Sequence, residues 1–142
     1  MEVSQVRRRV QGAITAARGR AQEHRQLVAD AERAYATFLH DVATPVVQQV
    51  AAVLKAENYA FTVSTPGDGV RLASDRGRDD FIELRLDTSL ERPQVIGRIS
   101  QTRGSRRLDE ERPLNPGAPV ESLTEDDVLE FIVQGLEPWL AH

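Results

Sequence analysis

The residues of this chain that could carry chemistry are its histidines and its clustered carboxylates. His24 lies within an apolar periodic pattern, where an imidazole suggests either a pH-sensitive contact or a metal site shared with a second copy. The interpretation that we favour is a polar residue that fixes the register of a helix pair. His40 and His142 show no ligand-like spacing from His24. We therefore expect no metal site.

The carboxylates form three short clusters, and each cluster has a structural explanation. Asp79-Asp80 falls in a predicted turn, Asp109-Glu110-Glu111 in a charged edge strand, and Glu125-Asp126-Asp127 at a helix N-terminus that favours negative charge. Catalytic carboxylates need burial that perturbs the pKa, and none of these contexts suggests burial. Pro66-Gly67-Asp68-Gly69 lacks the Lys-Ser/Thr of a phosphate-binding loop. The sequence therefore predicts a non-enzymatic protein without a cofactor.

The composition excludes further classes of function. The chain has no cysteine, which excludes disulfides, zinc–thiolate sites and thiol catalysis and fits a reducing cytoplasm. No segment approaches the roughly 18 consecutive apolar residues of a membrane span. The basic residues are arginines except for Lys55, a bias that indicates a GC-rich bacterial genome. We expect a bacterial, cytoplasmic protein that does not enter a membrane.

One long helix is predicted to organise the chain. Apolar residues recur at steps of three and four over residues 1–43, the spacing of a coiled-coil seam. The pattern indicates a helix more strongly than a coiled coil, because the seam is rich in alanine and contains no leucine, and because Gly12 and Gly19 each cost about 1 kcal/mol relative to alanine. The predicted seam comprises Val3, Val6, Val10, Ile14, Ala17, Ala21, His24, Val28, Ala31, Tyr35, Phe38 and Val42.

The length of this helix has a consequence for association. About 40 helical residues span roughly 60 Å, whereas a domain of about 85 residues is only some 30 Å across. One end of the helix must project, and its apolar stripe must be buried against a second copy or another protein. We expect a homo-oligomer, specifically a dimer. The alternative is a break at Gly19 that folds the helix back on its own chain.

Charge is distributed unevenly along the chain. Residues 1–25 carry six arginines and two glutamates, a net charge of +4, whereas residues 108–142 carry one arginine and nine acidic residues, a net charge of −8. The basic segment suggests contact with nucleic acid or with an acidic partner, through Arg7, Arg8, Arg9, Arg18, Arg20 and Arg25. No nucleic-acid-binding motif accompanies these arginines, so nucleic acid is the second hypothesis.

Residues 44–142 are predicted to form a small α+β domain. Pro45 lacks a backbone donor, which predicts a kink with Thr44 as the new N-cap. Alternating apolar residues and hairpin-length connections then predict an antiparallel meander of four or five strands. Thr124 and Asp127 have the spacing of a capping box, which predicts the start of a C-terminal helix.

The outer face of the predicted sheet is a second candidate interaction surface. It combines charges of both signs, which is typical either of a solvated face or of a docking face for a charged partner. The residues concerned are Arg71, Glu83, Arg85 and Arg98. The sequence as a whole predicts a self-associating interaction or scaffold module, with a nucleic-acid-associated protein as the alternative.

Overall fold

The N-terminal third of the chain forms one nearly continuous helix. In the computed structural model, which describes residues 1–77 and 79–140, α1 spans Val3–Phe38, a π-helical segment spans Leu39–Ala43 and α2 spans Thr44–Ala56. These three segments together extend about 80 Å at the usual rise per residue. Because α1 continues through Gly19, the alternative in which the helix breaks there and folds back is wrong. Arg78, Ala141 and His142 lie outside the described residues.

The discontinuity predicted near Pro45 is the π-helical segment. The backbone is already helical at Ala43 and Thr44, and no side chain caps the start of α2. The prediction that Thr44 is an N-cap is therefore wrong. Proline cannot donate to the carbonyl four residues earlier, and the wider turn that precedes Pro45 lets the helix pass this position without restarting.

Five strands follow the helix and form an antiparallel meander, as predicted. They are β1 (Phe61–Ser64), β2 (Val70–Ser74), β3 (Phe81–Asp87), β4 (Gln94–Arg103) and β5 (Arg106–Pro113), and they pair in the order of the chain. A 3₁₀ turn at Val120–Ser122 leads into the C-terminal helix α3 (Glu125–Leu140). The predicted α+β architecture is confirmed.

The boundaries of several elements follow from local chemistry. The exposed and charged strand β5 lies at an edge of the sheet, where its charges oppose further strand pairing. The predicted capping box starts α3: the Thr124 N–H donates to Asp127 Oδ2 at 2.9 Å, and the Asp127 N–H donates to Thr124 Oγ1 at 3.3 Å.

The hydrophobic core lies between one face of the sheet and the helices. Leu72 and Leu84 from the sheet are fully buried with Ile132 from α3. Tyr35 and Phe38 from α1 belong to the same cluster, so the C-terminal part of α1 is anchored in the domain. Burial of these large side chains, at about 1.5–3 kcal/mol each, fixes the direction in which the rest of α1 leaves the domain.

A close approach of α3 to the sheet depends on a glycine. A Cβ atom on Gly97 of β4 would lie 2.6 Å from Phe131 Cε2, and closer still to two other ring atoms. The aromatic ring therefore occupies the space that any other residue at position 97 would fill. Gly97 consequently sets the distance between α3 and the sheet.

Candidate functional site

The part of α1 that precedes Val28 projects from the domain. None of its side chains is buried, and its 25 residues extend about 37 Å at the usual helical rise. Val3, Val6, Val10 and Ile14 form a stripe along one side, which we call the N-terminal stripe, and they are 44–76% exposed. These four side chains form a continuous row of exposed apolar surface along the helix.

The predicted seam divides into two parts. The residues nearest the domain contribute to the core, because Ala31, Tyr35 and Phe38 are buried and Val42 is half-buried. His24 and Val28 are half-buried at the point where the helix leaves the domain. The remaining seam residues are exposed: Val3, Val6, Val10, Ile14, Ala17 and Ala21.

Tyr35 links the buried part of the seam to the sheet. Its hydroxyl donates to the carbonyl oxygen of Asp68, in the turn between β1 and β2, at 2.7 Å. Burial raises the pKa of Tyr35 above its ordinary value, and the negative charge of Asp68 adds to this effect. Tyr35 therefore stays neutral and holds the helix against the β1–β2 turn.

The arginines of the projecting helix flank the N-terminal stripe. At about 100° per residue, Arg7, Arg18 and Arg25 lie along one edge of the stripe, while Arg9 and Arg20 lie along the other. Arg8 points away from the stripe by the same geometry. All six are exposed, and in the described part of the chain none of them lies within ion-pair distance of a carboxylate. The helix thus presents an apolar stripe with a positive border on both sides.

The structure brings together the four charged residues predicted for the outer face of the sheet. Strand register places Glu83 directly between Arg71 and Arg98 on neighbouring strands. Glu83 Oε1 accepts from Arg71 at 3.2 Å and from Arg85 at 3.4 Å. Arg98 instead pairs with Asp109 of β5 at 3.1 Å.

Two features of this face were not predicted from the sequence. Glu83 is only 2% exposed, although it lies on the opposite face of β3 from the core residues Ile82 and Leu84. The guanidinium groups of Arg71 and Arg98 lie over the ring of Phe81, at 4.1 and 5.4 Å from its centroid. Arg71 and Arg98 therefore already make charge-pairing and cation–π contacts within the domain, which leaves fewer of their donors for a partner.

A third surface is an apolar groove between α2 and α3, which sequence reasoning missed. Its volume is about 410 Å³, and its exposed walls include Val53, Leu129, Val133 and Leu140, which are 41–63% exposed. Glu125 and Asp126 also line it. The apolar spacing of each helix was visible in the sequence. Which of these residues remain uncovered depends on how the two helices pack, and the sequence alone does not give that.

An open cleft of about 790 Å³ lies at the C-terminal end of α3, next to Trp139. One Asp80 carboxylate oxygen accepts from the Thr102 N–H at 2.8 Å, and the other accepts from Trp139 Nε1 at 3.3 Å. The Trp139 ring also packs edge-on against Phe61, with their centroids 6.0 Å apart. These contacts tie the end of α3 to the sheet, which gives Asp80 a structural role.

Among residues 1–77 and 79–140, His, Asp and Glu form no group of three that could hold a metal ion. No helix in that part of the chain combines the length and apolar character required to cross a bilayer. Comparisons with protein-family models, curated proteins and solved structures found no match.

Proposed function

We propose that this protein is a non-enzymatic interaction module that forms a homodimer by burying its N-terminal stripe. The observation that carries the proposal is the row of exposed valines and isoleucine along α1. A helix in water gains most of its stability from packing an amphipathic face, and among residues 1–77 and 79–140 the apolar face of this helix stays exposed. A second copy supplies the missing surface without any further component.

The contribution of the stripe to dimerisation can be estimated from exposure. Full burial of a valine stabilises by about 1.5–2 kcal/mol. Val6 and Val10 are each about half exposed, so burying both side chains contributes roughly 1.5 kcal/mol per copy. Both copies bury these residues, which doubles the effect. Replacing both valines by serine is therefore expected to raise the dimer dissociation constant by about 100-fold.

Sedimentation equilibrium of Val6→Ser/Val10→Ser over a range of concentrations tests this estimate. The matched control is Leu90→Ser/Leu108→Ser, which removes two similarly exposed apolar side chains from other parts of the surface. The control is expected to associate like the unmodified protein. Equal dissociation constants for the two double variants would contradict a role of the N-terminal stripe.

A second candidate function is binding to nucleic acid. It is supported by the six exposed arginines of the projecting helix, a local positive charge of the kind that binds phosphate backbones. A mobility-shift titration at low salt is the test, with Arg7, Arg8 and Arg9 replaced by glutamine. Binding that weakens in the triple variant and with added salt would support this function, and absence of binding at micromolar protein would eliminate it.

A further inference from the structure

We propose that the projecting helix of each copy lies in the α2–α3 groove of the other copy, antiparallel to α2. This inference rests on the self-association proposed above and names the surface that receives the helix. Three independent features of the chain carry it: the charges that border the two surfaces, the spacing of their valines, and the position of the groove along the helix.

The charges favour the groove over direct pairing of two projecting helices. Arginines border the N-terminal stripe on both sides, so two such helices packed stripe to stripe would place arginines opposite arginines along both edges. Like charges in these positions oppose association. Helix α3 carries five acidic residues and no basic residue, and Glu125 and Asp126 line the groove itself. A basic amphipathic helix is therefore complementary to this groove.

The valines of the two surfaces have matching spacing. Along α1, Val3, Val6 and Val10 are separated by steps of three and then four residues. Along α2, the valines that line the groove are at positions 46, 50 and 53, with steps of four and then three. When α1 of one copy lies antiparallel to α2 of the other, the steps along α2 are met in reverse order, as three and then four residues. The two sets of valines then match, with Val3 beside Val53, Val6 beside Val50 and Val10 beside Val46.

The same register agrees with the charges. Helix α3 contacts the π-helical segment, and its end lies at the cleft that also includes residues 57–59, so α3 runs alongside α2 in the same direction. The acidic start of α3 is therefore at the end of the groove nearer α1. An antiparallel helix with Val3 beside Val53 carries the segment that contains Arg7 and Arg9 to that acidic end, where the arginines on one edge of the stripe face Glu125 and Asp126.

The lengths allow two such contacts to form in one dimer. Val3 precedes Val28 by 25 residues, and Val53 follows it by 25 residues, so each arm is about 37 Å long. A two-fold axis near Val28, where the helix leaves the domain, therefore allows each projecting helix to reach the partner's groove at the same time. Such an isologous arrangement is closed, which limits the assembly to two copies.

Cysteine cross-linking in the full chain tests the arrangement, because the native chain has no cysteine. Val6→Cys and Val53→Cys, both at exposed positions, are mixed in equal amounts and treated with a short bismaleimide. A cross-linked species containing one copy of each variant is expected. Val6→Cys alone, and Val6→Cys mixed with the exposed control Leu108→Cys on β5, are expected to give at most a tenth of that yield.

The outcomes separate this inference from the proposed function. Efficient cross-linking of Val6→Cys alone, with no additional product in the mixture, would overturn groove docking but leave self-association in place. A sedimentation mass of one chain without any cross-linking would overturn both. A dimeric mass without a product in the mixture would also overturn groove docking.

A charge exchange provides a second measurement. Glu125→Arg/Asp126→Arg is expected to weaken dimerisation at least tenfold, and adding Arg7→Glu/Arg9→Glu to the same chain is expected to restore it. The Glu125→Arg/Asp126→Arg variant by itself also destabilises the start of α3, because it removes acidic residues that interact favourably with the helix dipole. Restoration therefore identifies contact between the two surfaces, and a loss that is not restored would contradict the proposal.

Discussion

Replacement of Gly97 by alanine tests how closely α3 packs on the sheet. The added Cβ would lie 2.6 Å or less from three atoms of the Phe131 ring, whereas carbon atoms pack at about 3.5–4.0 Å. The ring must therefore move by about 1 Å or more. Phe131 is fully enclosed in the core, and the Arg112 guanidinium lies 5.0 Å from the centroid of its ring, so it has no free space to enter.

The expected cost is near the upper end of the range for overpacked cores, about 3 kcal/mol of unfolding free energy. Movement of α3 also shifts Leu129 and Val133 in the groove, so we expect weaker dimerisation as well. Phe131→Leu removes part of the ring at a cost of about 1.5 kcal/mol on its own. In the double variant the smaller side chain leaves room for the alanine. The double variant is therefore expected to lose at least 1 kcal/mol less unfolding free energy than the two single variants lose in sum.

Urea unfolding followed by tryptophan fluorescence measures these effects, because the single Trp139 lies near the end of α3 and packs on Phe61. All variants are compared at one protein concentration, since the proposed dimerisation would contribute to apparent stability. A loss below 1 kcal/mol for Gly97→Ala, or additive losses in the double variant, would refute the described packing of Phe131 on the sheet.

Three further variants test separate parts of the structure. Tyr35→Phe should lower the unfolding free energy by about 1 kcal/mol through loss of the bond to Asp68. The raised pKa of Tyr35 stabilises the native protein fully below the ordinary value of about 10, and this contribution declines as pH rises above it. Urea titrations at pH 8 and above pH 10 should therefore show that the unfolding free energy falls less with rising pH in Tyr35→Phe than in the unmodified protein. Glu83→Gln should cost about 2 kcal/mol in the same assay, because two arginines lose a buried carboxylate, and an unchanged stability would contradict their pairing. Gly12→Ala/Gly19→Ala should increase helicity by circular dichroism without weakening the proposed dimer, since no described residue outside the adjoining helix backbone lies within 4 Å of either added Cβ and both glycines face away from the stripe. Weaker dimerisation would show that a partner approaches this side of the helix.

The sequence predicted most of the fold, because local signals and the final packing agree. Alternation of Ile82 and Leu84 with charged residues indicated a strand with these two side chains on the core face, and the hairpin-length connections then implied an antiparallel meander. The spacing of Thr124 and Asp127 placed the start of α3. At Gly19 the sequence left two alternatives open, because a glycine costs only about 1 kcal/mol in a helix and the surrounding residues decide whether it continues.

The candidate site was only partly predictable, because it depends on tertiary packing. Periodicity identified a seam in α1, yet it could not show that the seam passes from the core to an uncovered stripe near Val28. The burial of Glu83 likewise results from neighbouring strands that place arginines around it. The groove joins Val53 with Leu129, which are 76 positions apart and become neighbours only when α3 packs against α2.

The mass of the unmodified protein in solution is the most direct test of the central claim, that the projecting helix makes this chain a homodimer. Sedimentation equilibrium at micromolar concentrations should give twice the chain mass of 15.8 kDa, with dissociation towards a single chain on dilution. A mass of 15.8 kDa at every concentration, up to the highest that is soluble, would contradict the claim.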